Sequence, residues 1–431
     1  MGKNQFKVIL IGAGDRGRGY TNIMHRLPEM FKVVGVAEPI EDRRNYIKEK
    51  HGISNECCFN SWDEILSVPK FADIAIISTM DRMHAKPALK AIELGYDLLL
   101  EKPAPPTPEE CALIAKKAKE AGRKVIVCHV LRYSPFFKAL KKLINDGVVG
   151  DIVNIEHIEC VGNVHQSHSF VRGNWGNEER SSFMLLQKCC HDLDILQWLL
   201  DKECKKIQSF GSLVHFRREN APEGSPERCI DGCPVSETCF YNAVKLYYDA
   251  KDNHWFRSAA TLKPPGKDTD SEVLNALHNT PYGKCVYKCD NNVVDHQTVN
   301  MEFEGGTTVS MTMSAFTKGG RRLRVMGTKG ELICNMSLPA DKAFEFYDFA
   351  TGKTECLDID YSNVGDSILG GHGGGDDGII LDLHKYLNGE IEASAVSEIG
   401  ISVKNHMLAF AAEASRKNYS VVDLESYISK F

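Results

Sequence analysis

Two short stretches carry residue types that redox chemistry uses. One is the turn Ile11-Gly12-Ala13-Gly14-Asp15-Arg16-Gly17; the other is Glu101-Lys102-Pro103, at the end of an apolar run. A glycine turn lets backbone N–H groups meet an anion, and a lysine at a strand end can hold or accept a proton. Free lysine has a pKa of about 10.4, so it serves as a base near neutrality only where burial or adjacent positive charge lowers that value. An oxidised nicotinamide is such a neighbour. Pro103 restricts Lys102 to extended backbone, which fixes where its side chain starts.

The flanking elements give the glycines their meaning. Phe6 to Ile11 reads as a buried strand and Arg16 to His25 as the helix that follows. In a strand, glycine turn and helix, Gly12 permits the tight turn, Gly14 lets backbone approach a pyrophosphate, and Gly17 lets helix and strand pack closely. Asp15 and Arg16 stand at the helix start, where unpaired N–H groups face the anion. A second strand, Val33 to Ala37, ends at Glu38, about twenty residues past the turn, where a ribose-binding acid is expected. Its carboxylate accepts from ribose hydroxyls and repels a 2′-phosphate, so NAD is expected over NADP; Arg43 and Arg44 argue the other way.

Beyond Glu38 the pattern alternates: a helix from Glu41 to Lys50, a strand Ile74 to Ser78, a helix from His84 to Leu94, and a strand Asp97 to Leu100. Thr107-Pro108-Glu109-Glu110 then offers an N-cap hydroxyl, a proline at N1 and a glutamate at N3 for a helix to Ala121. Val125 to Cys128 is a further short strand. This alternation predicts a Rossmann doubly wound parallel sheet with ligands beyond the strand C-termini, where Glu38, Ser78-Thr79, Glu101-Lys102 and His129 fall. After about Arg132 the segments lengthen and alternate apolar with polar: Ile152 to Cys160, Ile207 to Val214, Val299 to Phe303, Thr307 to Met313, Arg322 to Met326 and Leu332 to Met336. Such segments are half-buried antiparallel strands. The expected division is therefore 1–130, an NAD(P)-binding domain, and 131–431, an α+β domain with a large, mainly antiparallel open sheet. A Cys-containing insertion lies near 215–290, and a late amphipathic helix spans 393–416.

With 431 residues, two domains are the natural expectation. Hydrophobic residues at 43%, charged residues at 26% and a formal charge of −6 describe an ordinary globular protein without the basic footprint of a nucleic-acid binder. The first strand begins without room for a charged leader, and no apolar window reaches the length of a membrane span. A cytoplasmic protein with no membrane partner is expected, its 15 cysteines mostly reduced and buried.

The second half holds another constellation, Gln187, Lys188 and His191. On one helix, 187 or 188 and 191 share a face. Imidazole titrates near neutrality, so His191 is a candidate proton acceptor or hydroxyl ligand; alternatively it satisfies a buried helix while Lys188 pairs with Asp192. His165, His168, Arg172, Asn174 and Trp175 form a polar, aromatic loop suited to a carbohydrate, whose ring faces stack and whose hydroxyls need donors and acceptors. It equally suits a lid over a cofactor. His296 and the Gly-rich run around His372 are further candidate substrate contacts. Cys229, Cys233 and Cys239, with Cys285 as a fourth, offer a structural zinc or iron–sulfur site; their intervals depart from closer CxxC knuckles, and unliganded thiols are the alternative.

Taken together, the Gly12 to Gly17 turn, Thr79-Met80-Asp81-Arg82-Met83-His84, Glu101-Lys102-Pro103, Arg132-Tyr133-Ser134-Pro135 and His191-Asp192-Leu193-Asp194 resemble the Gfo/Idh/MocA oxidoreductases, over nearly the whole chain. The resemblance implies that Lys102 is catalytic or substrate-orienting and that His84, Asp81 and Arg132 contact cofactor or substrate. It also implies a sheet domain that binds a sugar or cyclitol and builds homodimers or homotetramers. The family usually carries an aspartate four residues before the histidine; Gln187 stands there, and Lys188 beside it adds positive charge. Three functions follow as expectations: hydride transfer between NAD(P) and a secondary hydroxyl of a sugar or cyclitol, an NAD-dependent glycosidase acting by transient oxidation and elimination, or a non-enzymatic NAD-binding sensor.

Overall fold

The computed structural model describes residues 5–359 and 371–431, without the side chain of His372. The first six strands are β1 (Phe6–Ile11), β2 (Phe31–Ala37), β3 (Cys58–Phe59), β4 (Ile74–Ile77), β5 (Asp97–Leu100) and β6 (Val125–Val127). They form one parallel sheet in the order β3-β2-β1-β4-β5-β6. The near-continuous apolar runs of β1 and β4 follow from helices covering both faces of such a sheet. Strand order reverses between β1 and β4, which opens a crevice at their C-terminal ends. The Gly12 to Gly17 turn, Ser78-Thr79 and Glu101 all follow strands at that edge.

Nine more strands make the second sheet: β7 (Ile152–Cys160), β8 (Cys204–Ser212), β9 (His296–Phe303), β10 (Thr308–Ser314), β11 (Gly320–Gly327), β12 (Gly330–Asn335), β13 (Phe344–Asp348), β14 (Lys353–Cys356) and β15 (Val422–Asp423). Their order is β14-β13-β12-β11-β7-β10-β9-β8-β15, and only β7 and β10 pair in parallel. The helices Cys190–Leu200 and Ile399–Asn418 pack together, the latter also on β8.

Alternation along β7 and β11 sends Ile155, Leu323 and Val325 inward, and with them His157, Glu159 and Arg321. Ionisable groups at core parity are costly unless paired, and these three are paired as described below.

Late in the chain, residues return to the first sheet. The helix Gly375–Leu387 packs on the helix Asp15–His25, and Ser397 pairs with β6 through Val127 N–H to Ser397 O at 2.9 Å and Ser397 Oγ to Val127 O at 2.6 Å. Gly375 is required there, because an added Cβ would stand 2.1 Å from the Val130 carbonyl oxygen.

Two local readings need correction. The late helix runs Ile399–Asn418, not from 393. The segment around His191 is two helices, Met184–Gln187 and Cys190–Leu200, interrupted at Lys188-Cys189. The insertion carries helices His254–Thr261 and Asp270–Asn279 around a small core of Tyr247, Phe256, Val273 and Leu277.

Candidate functional site

The glycine turn behaves as its spacing requires. Gly12 has φ +90°, and a Cβ there would lie 2.5 Å from Ser78 O; a Cβ at Gly17 would lie 2.2 Å from Gly12 O. At Gly14 an added Cβ meets nothing within 4 Å, so the turn presents open space in front of the helix N-terminus. Those are the demands of a dinucleotide pyrophosphate, and the residues fit one. Glu38 is buried and accepts from Ala13 N–H at 2.7 Å and Ile40 N–H at 3.0 Å, bracing the turn at the ribose position. Arg44 donates to the Glu38 carbonyl and Arg43 to Leu262 O at 3.0 Å, so both guanidinium groups are engaged by backbone. Ser78 Oγ donates to Gly12 O at 2.7 Å, while Thr79 Oγ1 is buried without a partner among the described residues. Asp15 pairs with Arg18.

Several residues expected at the cofactor are engaged with other groups of the protein. Arg16 pairs with Glu101 at 2.8 Å and Asp376 at 2.6 Å, and Tyr20 OH donates to the same Glu101 oxygen at 2.6 Å. Burial would raise the Glu101 carboxyl, but Arg16 and Lys102 bring it below its usual range. Arg132 is buried in a two-pronged pair with Asp194 at 2.9 and 2.7 Å. His84, also buried, faces Pro103 O at 2.8 Å and Thr79 O at 3.1 Å, tying the end of β4 to the Glu-Lys-Pro segment.

Lys102 leaves β5 toward the second half. Its Nζ donates to Gln187 O at 2.9 Å, one turn ahead of His191. Gln187 and His191 are both buried, and the His191 ring meets His129 edge-on at 5.9 Å between centroids. His406 stands on the other side of His129 at 5.3 Å; its Nε2 accepts from Ala104 N–H at 3.0 Å and its Nδ1 faces Ser402 O at 2.7 Å. That pattern fixes a neutral tautomer, and burial lowers its pKa to about 3.

Lys188 does not pair with Asp192. The interruption at Lys188-Cys189 separates it from the following helix, and Lys188 Nζ lies 3.3 Å from Glu159 Oε1. Arg321 joins Glu159 and Asp192, each at 2.8 Å, and His157 meets Asp192 at 2.7 Å. Burial opposes the Asp192 charge, but Arg321 and His157 hold the carboxyl well below its usual range. His165 adjoins this group: burial first, then Lys188, His168, Lys102 and Arg321, keep it neutral to well below the ordinary histidine value. Trp255, from the insertion, packs on His165 at 5.2 Å.

The structure thus gathers Lys102, Gln187, Lys188, His191 and His165 beyond β5, next to the glycine turn. Trp175 stands at the edge, its Nε1 3.4 Å from Asp81 Oδ1. Arg172 is elsewhere, buried against Lys284 O, Tyr241 O and Cys229 Sγ. His296 pairs with Asp295 at 2.9 Å, and the His372 side chain lies outside the described residues. Cys229, Cys233, Cys239 and Cys285 are free thiols, and among the described residues no group of three or more His, Cys, Asp or Glu side chains is arranged to hold a metal ion. Asp376, from the Gly-rich run expected at the substrate, pairs with Arg16. Sequence reasoning missed Glu159 and Arg321, although both carried a signal, charge at core parity in an alternating strand.

Residues 6–129 match the oxidoreductase family with an NAD-binding Rossmann fold, and residues 141–393 match that family's C-terminal alpha/beta domain. YteT of Bacillus subtilis is 23% identical over 378 residues, 84% of either chain. An inositol 2-dehydrogenase of Klebsiella pneumoniae is 26% identical over 203 residues, 47% of this chain and 56% of that one. The crystal structure of the WlbA dehydrogenase from Chromobacterium violaceum, in complex with NADH and UDP-GlcNAcA, shares the fold at TM-score 0.65 and 15% identity, over 98% of this chain and 97% of that one. The chain belongs to the Gfo/Idh/MocA oxidoreductase family.

Proposed function

We propose that this member of the family is an NAD-dependent dehydrogenase acting on a secondary hydroxyl of a sugar, sugar derivative or cyclitol. The observation that carries the reading is the approach of Lys102 to the Gln187–His191 segment beside an open glycine turn. The turn, with Gly14 at its open point and Glu38 at the ribose position, would hold the dinucleotide. When bound, nicotinamide supplies the hydride acceptor.

The protein's own residues manage the proton. An ammonium has three donors; Lys102 spends one on Gln187 O, leaving two to orient the substrate oxygen and stabilise its developing negative charge. His191 takes the hydroxyl proton, since Gln187, in the place of the family's usual aspartate, can hydrogen-bond but not accept one. Trp255 and Trp175 offer ring faces for a polyol. The engagement of Arg43 and Arg44 by backbone carbonyls favours NAD over NADP.

Glu159 neutralises Lys188, which removes the extra cation that would stabilise an anionic elimination intermediate and so favours net oxidation over a redox-neutral glycosidase. Incubating purified protein with NAD and a panel of sugars, uronates and cyclitols should yield NADH with at least one of them. Cleavage of a chromogenic glycoside without NADH accumulation would select the glycosidase instead, and NAD binding with neither reaction would select a sensor.

A further inference from the structure

Arg172 is the anomaly of the second half. It is 1% exposed, yet among the described residues no carboxylate lies within salt-bridge distance of it. Its partners are the carbonyl oxygens of Lys284 at 2.8 Å and Tyr241 at 2.7 Å and the sulfur of Cys229 at 3.6 Å, and Nη1 has none. A buried guanidinium without a counter-anion costs several kcal/mol. The fold that tolerates it places cysteines around it: Arg172, Cys229, Cys233, Cys239 and Cys285 line one small cavity.

Backbone, not side-chain placement, brings these cysteines together. Cys229 N–H donates to Gly283 O at 3.0 Å and Cys285 N–H to Glu227 O at 2.9 Å, on either side of an antiparallel bridge between Arg228 and Lys284. Cys233 and Cys239 sit on consecutive turns, closed by Ser236 N–H to Cys233 O at 3.1 Å and Cys239 N–H to Val235 O at 2.9 Å. All four cysteines line the cavity, and among the described residues they are not arranged as a ligand set, so holding a metal requires their side chains to turn on binding. Between Phe216 and Ala243 the chain has a single short 3-10 turn as regular structure and only a small apolar cluster beneath it. Segments of that kind are commonly stapled by a disulfide or a metal.

We propose that Cys229, Cys233, Cys239 and Cys285 form a tetrathiolate centre for a thiophilic metal, a zinc ion or an iron–sulfur cluster, whose net negative charge is the missing counter-anion of Arg172. Four thiolates around a divalent zinc, or around a cubane cluster of charge +2, each leave a charge of about −2. Binding displaces the thiol protons to solvent and involves no electron transfer. The role is structural. The centre fastens the insertion, which carries Trp255 against His165 and Lys263 against Asp42 beside the cofactor turn.

The test is metal and acid-labile sulfide analysis of the full chain, purified anaerobically with reductant and without an affinity metal. The proposal expects about one zinc per chain with sulfur scatterers at about 2.3 Å, or about four iron with matching sulfide and visible charge-transfer absorption. Cys229→Ser with Cys285→Ser should lower metal content at least about tenfold and speed tryptic cleavage between residues 216 and 285. If that variant is insoluble, native thiol titration of the wild-type chain decides: the four thiols are protected until a chelator or oxidant releases the metal. Wild-type protein with less than about a tenth of an equivalent of either metal, or metal content unchanged in the double variant, would overturn the proposal. None of these readouts depends on enzymatic turnover, so they stand apart from the dehydrogenase reading.

Discussion

At the scale of single residues, Gly14 and Gly17 look alike in sequence and differ in what surrounds them. Gly17→Ala forces a methyl into Gly12 O, whereas Gly14→Ala places it in open space at a backbone conformation alanine tolerates. Gly17→Ala should therefore lower the thermal midpoint. Gly14→Ala should fold normally and bind NAD at least about tenfold more weakly, as calorimetry would show. Arg132 and Asp194 give a second contrast: Asp194→Ala strands a buried guanidinium and should cost about 3–5 kcal/mol in urea unfolding. In sequence, Arg132 is a ligand contact only through the family resemblance of its motif. Its partner within the protein, Asp194, is 62 positions away and carries no local signal.

Elements show where local reading succeeds. Strands β7 to β12 were legible because an alternating pattern with one buried face specifies register. The short strands β13 to β15 lacked that length. The interruption at Lys188-Cys189 was illegible because an apolar run fits one helix as well as two. At that interruption Lys188 meets the Glu159 carboxylate of β7, a contact no local pattern states. Buried titratable groups on these elements set the pH response. His168 and His406 have folded pKa values lowered to about 3, chiefly by burial, so the unfolded chain binds protons below about pH 6.5 that the native state refuses. Stability from these two is full above pH 6.5 and lost as pH falls toward 3. The depressed Asp192 and Glu101 carboxyls add a further loss below about pH 4. Thermal midpoints measured from pH 8 to pH 4 should be flat at the alkaline end and fall with increasing slope.

For the whole molecule, a parallel sheet was readable from strand and helix alternation, while the two-residue strand β3 and the order β3-β2-β1-β4-β5-β6 come from the structure; the family follows from matches over both halves. The return of residues 375–397 onto the first sheet was not readable, because no sequence pattern states which surface a late helix covers. Arg16 and Asp376 are 360 positions apart. The second sheet leaves Ile158, Phe210, Ile333 and Tyr347 exposed on its strands. These side chains stand among polar neighbours such as Asn300, Glu302 and Arg324, a mixed surface that would suit a second copy of the chain. Light scattering should report a homodimer or homotetramer, with Ile158→Asp and Phe210→Asp shifting it toward monomer.

The central claim is that the Lys102 amine acts on an alcohol held beside a bound nicotinamide. Its most direct test compares wild type and Lys102→Ala for NAD affinity and for steady-state NADH production from the best substrate of the panel. NAD affinity within about fivefold of wild type, with turnover at least about 100-fold lower, is the predicted result. Unchanged turnover in Lys102→Ala with NAD bound normally would contradict the account.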